Sequence, residues 1–147
     1  GAYGTDIVKE NRFVYTYEGD SGYEGKQYIV KLMVSDNGGV LKMYFSPAEG
    51  YSITDHINKT HMPILTVPSS IVNDGRKAFT DLKNWEFGYD MMDVWPYQDE
   101  YRPHPAATDW IEINRKDNVY EVEFILSSIG EGSYTSTMDL YYKGEAR

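Results

Sequence analysis

The chain contains no cysteine, which removes disulfides, thiolate metal sites and cysteine nucleophiles together and leaves the redox compartment open. No run approaches the roughly 18 apolar residues that a membrane-spanning helix needs, so no transmembrane segment is expected. Positive charge is also scarce. Lys and Arg number 14 against 23 Asp and Glu, a net charge of −9 that repels phosphate backbones and argues against nucleic acid as a partner. Long segments with a 3.6-residue apolar period are missing, as is any repeat of fixed length, which excludes helical bundles and solenoids. The N-terminal Gly1-Ala2-Tyr3-Gly4 is no signal peptide. Its start on Gly rather than Met raises the expectation of a signal peptide or lipidated Cys upstream.

What is present is a chain of 147 residues, 41% hydrophobic and 25% charged, enough for one domain with its own core. Aromatic residues make up 15%, and tyrosine dominates them with 14. These side chains favour the pleated surface of a strand, which points to an all-β domain.

Periodicity places the strands. Arg12 to Tyr17 reads as the first, closed by the turn chemistry of Gly19-Asp20-Ser21-Gly22. From Gln27 to Ser35 the chain alternates, with Tyr28, Val30, Leu32 and Val34 on one face and Ile29, Lys31 and Met33 on the other. Asp36-Asn37-Gly38-Gly39 predicts a tight hairpin that returns through Val40 to Phe45. Pro47, Pro63 and Pro68 predict that runs around Ile53 and from Ile64 to Val67 are short or peripheral, because proline cannot donate to a ladder. Ile71 to Leu82 is compatible with a helical turn or a strand beyond the Asn73-Asp74-Gly75 turn. Trp85, Phe87 and Tyr89 predict a strand with an aromatic inner face, followed by a long irregular loop with Pro96, Pro103 and Pro105.

The C-terminal third predicts a three-stranded meander. Ile111 and Ile113 alternate with Glu112 and Asn114, and Lys116-Asp117-Asn118 turns the chain. Tyr120, Val122, Phe124 and Leu126 then alternate with Glu121, Glu123 and Ile125, and a Gly130-Glu131-Gly132 turn leads into a strand from Tyr134 to Tyr142. Ile111, Ile113, Val122, Phe124, Leu126, Met138 and Leu140 are the expected inward face. The fold class is an antiparallel β-sandwich or a flattened barrel.

Asp109-Trp110-Ile111-Glu112-Ile113, the Asp-Asn turn, Tyr120-Glu121-Val122-Glu123-Phe124 and a closing strand after a Gly-rich turn resemble the C-terminal portion of lipocalin-like β-domain lipoproteins of the gut-bacterial cell envelope. The resemblance covers the C-terminal third. It implies an exported, lipid-tethered domain, extracytoplasmic or periplasmic, and it brings no catalytic residues.

Three constellations bear on chemistry. His56 and His61, beside Asp55, lie five apart, a spacing that puts both rings on one face of neither a helix nor a strand, and His104 stands alone between prolines. No metal site and no cofactor is assigned. Glu112, Glu121, Glu123 and Asp139 share one face of the meander by parity, as paired carboxyls of a hydrolase would. A two-residue turn at Asp117-Asn118 sets Glu112 against Glu123, a repulsion that a nearby cation must relieve or that a slipped register pairing Lys116 with Glu121 would avoid. A solvated outer face accounts for the same residues. No nucleophile elbow, phosphate loop or EF-hand occurs, and no catalytic residue is assigned.

The third constellation is the aromatic stretch from Trp85 to His104. Trp95, Tyr97 and Tyr101 lie there with Asp99 and Arg102, and flat aromatic faces beside hydrogen-bonding groups are what sugar rings bind. Packing of the same aromatics onto the core is the competing account. The functional expectation is a non-enzymatic cell-envelope domain that contacts a glycan or a partner protein through this loop. A carboxylate-dependent hydrolase and a purely structural accessory domain are the alternatives.

Overall fold

A computed structural model of the chain describes residues 9–18, 23–47, 62–89, 93–96, 105–129 and 135–147. The strands are β1 (Arg12–Glu18), β2 (Tyr23–Asn37), β3 (Val40–Pro47), β4 (Pro63–Pro68), β5 (Lys77–Ala78), β6 (Glu86–Tyr89), β7 (Asp93–Pro96), β8 (Trp110–Lys116), β9 (Val119–Ile129) and β10 (Thr135–Glu145). They form one sheet in the order β5-β8-β9-β10-β1-β2-β3-β4-β6-β7, and every pair of neighbouring strands is antiparallel. The first and last long strands are therefore neighbours in mid-sheet, with Arg12 opposite Tyr141.

The sheet curls into a half-barrel, the all-β architecture expected from the pattern of strands. Side chains from opposite sides of the curl meet inside it. Phe13 of β1 lies 6.5 Å from Phe87 of β6, Phe87 lies 6.0 Å from Phe124 of β9, and Phe45 of β3 lies 6.4 Å from Tyr142 of β10, centroid to centroid. These rings belong to a single buried cluster. All seven residues expected inside the meander are buried.

Tight turns set the register. Gly38 and Gly39 both take positive φ, at 63° and 82°, which is the two-residue turn whose twist suits a hairpin, and Asn37 pairs with Val40 across it. Asp117, at φ 53°, begins the corresponding turn between β8 and β9, where Lys116 pairs with Val119.

The alternation expected along β2 fails at one point. A bulge between Ile29 and Lys31 adds a residue, so that Ile29 and Leu32 are both buried while Val30 is 60% exposed. Tyr28 and Val30 are thus outside, and Leu32 does not share their face. Here β2 also changes its neighbour. It pairs with β1 as far as Tyr28, and beyond the bulge the C-terminal end takes that place, with Leu32 bridged in parallel to Ala146 and the Arg147 N–H donating to the Leu32 carbonyl at 2.9 Å.

Strand β4 is short, as the prolines predicted, though it is not peripheral. It lies between β3 and β6, because Pro63 and Pro68 occupy its two ends and leave the donors between them intact. The run around Ile53 lies outside the described residues. The ambiguous Ile71 to Leu82 stretch is both things in turn: a 3₁₀ turn at Ser69–Ile71, the short strand β5, and a second 3₁₀ turn at Phe79–Asp81. It leaves β4, reaches β8 at the far end of the sheet and returns to β6, and so crosses the open side of the half-barrel. Buried Ile71, Phe79, Leu82 and Trp85 cover the core there, with Phe79 4.8 Å from Trp85 and 6.1 Å from Phe124.

Candidate functional site

The outer face of β8, β9 and β10 carries the site. The Asp117-Asn118 turn fixes Glu112 opposite Glu123, and the next ladder fixes Glu123 opposite Tyr141 and Glu121 opposite Lys143. Since facing residues of an antiparallel pair lie on the same side, Glu112, Glu123 and Tyr141 form one row, with Asn114 and Glu121 in the next. Lys116 faces Val119, so no slipped register relieves the acidic pair.

Two cations from distant segments relieve it instead. Lys9, just before β1, donates through Nζ to both carboxylate oxygens of Glu123 at 2.6 and 2.8 Å. Arg76, in the excursion across the open side, brings Nε to 3.7 Å from Glu112. Its guanidinium lies 3.5 Å from the ring centroid of Trp110, a stacked contact that holds it over β8. Asp109, 1% exposed, fixes the start of β8 by accepting from the N–H groups of Ala106 at 2.8 Å and Ser127 at 2.6 Å. The excursion is tied to β8 as well, since Asn73 accepts from the Arg115 N–H and donates to the Arg115 carbonyl.

These side chains line a shallow cleft of about 240 Å³ bounded by Lys9, Arg76, Glu112, Asn114, Glu121, Glu123 and Tyr141. The Tyr141 hydroxyl donates to Glu121 at 2.6 Å. Burial, the hydrogen bond to Glu121 and the negative charges of Glu121 and Glu123 push its phenol well above the usual range, against the opposing influence of Arg12. Tyr141 is therefore a neutral donor at any physiological pH. Of the four carboxylates that parity placed on one face, three line the cleft. Asp139 lies apart, opposite Ile125 and Val14, with Arg12 at 3.4 Å.

Each cleft carboxylate has a partner within the protein: Lys9 for Glu123, Tyr141 for Glu121, and Asn114 and Arg76 for Glu112. Both oxygens of Glu123 are held by Lys9. The arrangement is a polar surface whose carboxylates are paired within the protein. Among the described residues no group of three or more His, Cys, Asp or Glu side chains is placed to hold a metal ion.

The expected aromatic loop is partly replaced by structure. Asp93 to Pro96 form β7, paired with β6, and Trp95 stands opposite Phe87 in that ladder, so this part of the stretch is a strand. It was missed because four residues, Asp93-Val94-Trp95-Pro96, ending in a proline show too little alternation to read as a strand. Tyr97, Asp99, Tyr101 and Arg102 lie outside the described residues, as do His56, His61 and His104. Among the described residues no helix is long and apolar enough to cross a membrane.

Sequence reasoning missed Lys9, Arg76 and Tyr141. Tyr141 was accessible from the parity of β10. Lys9 and Arg76 left no local signal, although the facing glutamates required a cation from somewhere. Comparison with family models, with curated proteins and with solved structures found no match to this chain. Nothing in these comparisons identifies the chain with envelope lipoproteins.

Proposed function

We propose that this is a non-enzymatic binding domain of the extracytoplasmic cell envelope, carried on a lipid tether, that contacts a glycan or a partner protein through Trp95, Tyr97, Asp99, Tyr101 and Arg102. The observation that supports it most is the filled interior. Among the described residues, aromatic and aliphatic side chains from both sides of the curl meet in one packed cluster, which favours recognition by the outside of the half-barrel. Strand β7 lies at one end of the sheet and β8 near the other, so the chain between Pro96 and Trp110 is a long connection, and long connections are where binding residues concentrate. The hydrolase reading has less support because it needs two carboxyls free at once, and release of Lys9 frees only Glu123 while Glu121 stays bonded to Tyr141 and Glu112 to Asn114.

The test separates binding from packing. Trp95 belongs to a ladder, so its removal disturbs β7 as well as any ligand contact; Tyr97→Ala/Tyr101→Ala is the cleaner variant. On a glycan array the parent should give a defined hit that the double variant loses, with thermal melts of the two proteins nearly coincident, since surface substitutions usually stay within about 0.5 kcal/mol. An empty array, no envelope protein captured by crosslinking, and a large drop in melting temperature would together overturn the proposal and leave the stretch as structure. The tether is tested by fractionating cells that express the natural gene product, which should appear with the membranes.

A further inference from the structure

The cleft on β8–β10 is more than an acidic patch, because an alkylammonium already sits in it. Lys9 reaches it from outside the meander, places Nζ against both oxygens of Glu123, and lies 5.2 Å from the ring centroid of Tyr141. A carboxylate gripping the ammonium from one side and an aromatic face receiving it from another are the two elements of amine recognition. Behind them Glu112 faces Glu123 and Glu121 accepts from Tyr141, so three carboxylates converge on a cleft that holds two cations. Burial raises the pKa of Tyr141 first of all, and the nearby charges of Glu121 and Glu123 add to the rise.

We propose that this cleft is a binding site for a primary alkylammonium group, a free amine or a lysine side chain, and that Lys9 occupies it as a displaceable internal ligand. Displacement is feasible because the Lys9 side chain is 48% exposed and exposed ion pairs are weak. The segment that delivers Lys9 is held independently of it. Asn11 donates to the Lys143 carbonyl at 3.1 Å and accepts from the Lys143 N–H at 2.8 Å, and Glu10 pairs with Lys26 at 2.7 Å. Lys9 can therefore swing out while the chain stays anchored. Arg76, stacked on Trp110, remains as the fixed cation beside Glu112.

The experiment is an amide NMR titration with n-butylamine hydrochloride and, separately, with an acetylated and amidated Gly-Lys-Gly peptide, on the parent, Lys9→Ala and Lys9→Ala/Glu123→Gln. Lys9→Ala should show saturable shifts around Glu123 and Tyr141, with an apparent affinity about fivefold tighter than the parent because the internal competitor is gone. Adding Glu123→Gln should abolish them. Whichever probe binds tighter names the source of the amine. Thermal melts check that each variant folds, and Tyr141→Leu replaces Glu123→Gln should that one fail. The absence of saturable shifts in Lys9→Ala, equal affinity with and without Lys9, or survival of binding in Lys9→Ala/Glu123→Gln would overturn the proposal.

Discussion

Strands β8 to β10 and strands β2 to β4 are both runs of three antiparallel neighbours in the same sheet, and they are built to different tolerances. In the first, ladders run unbroken, and Ile111, Ile113, Tyr120, Val122, Phe124, Leu126, Met138 and Leu140, at alternate positions along their strands, go inside. In the second, the bulge at Val30 reverses the parity of β2 halfway along. The reversal coincides with a change of neighbour from β1 to the C-terminal end. A pleat transmits information about facing only as far as its ladder is continuous, and one extra residue exchanges inside for outside.

The sharpest way to test the equivalence of the two inner faces is to cut into both. Phe124→Ala should cost about 3–5 kcal/mol and Leu32→Ala about 2–5 kcal/mol in chemical denaturation, since both side chains are fully buried. An unchanged midpoint for Leu32→Ala would mean that the bulge does not turn it inward.

A middle-sized effect probes the bulge itself. Deleting Val30 restores an uninterrupted alternation and forces either Ile29 or Leu32 out of the core, at a cost of about 1.5–3 kcal/mol for one such side chain left in water. Val30→Thr, which keeps the extra residue, should stay within about 0.5 kcal/mol. If deletion and substitution gave the same midpoint, β2 would have no preferred register at this point.

The smallest effect concerns the outer faces, where the meander has the cleft and β2 to β4 carry lysine–tyrosine contacts such as Lys42 with Tyr44. The Tyr141 phenol is raised above its unfolded value of 10.0, so the native state holds its proton more tightly than the unfolded one. The resulting stability is fully present below about pH 10 and falls as pH rises from there toward the native pKa, because the unfolded chain ionises first. Denaturation midpoints from pH 9 upward should decline less steeply in Tyr141→Phe than in the parent. Equal slopes would show that Tyr141 contributes nothing to the alkaline decline.

These contrasts explain what was legible in the sequence. The meander could be read residue by residue because Asp117-Asn118 closes a two-residue turn and nothing interrupts the alternation on either side. The Gly38-Gly39 turn was readable for the same reason. The bulge was not, since Ile29, Val30 and Leu32 are all apolar and composition alone does not show which of them is the extra one. The prolines predicted that β4 is short, but only the structure shows that they sit at its two ends and so allow it an interior place. In the cleft, the glutamates and their mutual repulsion were visible. Lys9 and Arg76 were not, because the contacts that bring them in arise only when the chain before β1 and the excursion after β4 fold against the meander.

The adjacency of β1 and β10 also has a consequence for how the protein is made. Asn11 and Lys143, 132 positions apart, exchange two hydrogen bonds in the middle of the sheet. During synthesis β1 emerges early and must wait for the last strand, so the gap in the growing sheet lies at its centre. Until β10 arrives, β1 and β9 each present an unpaired edge to whatever else is nearby, and such edges are templates for association with other chains. Ribosome-bound or prematurely terminated chains ending before Thr135 should consequently be the species most in need of a chaperone, and the arrival of β10 removes both edges in a single step by inserting one strand between them.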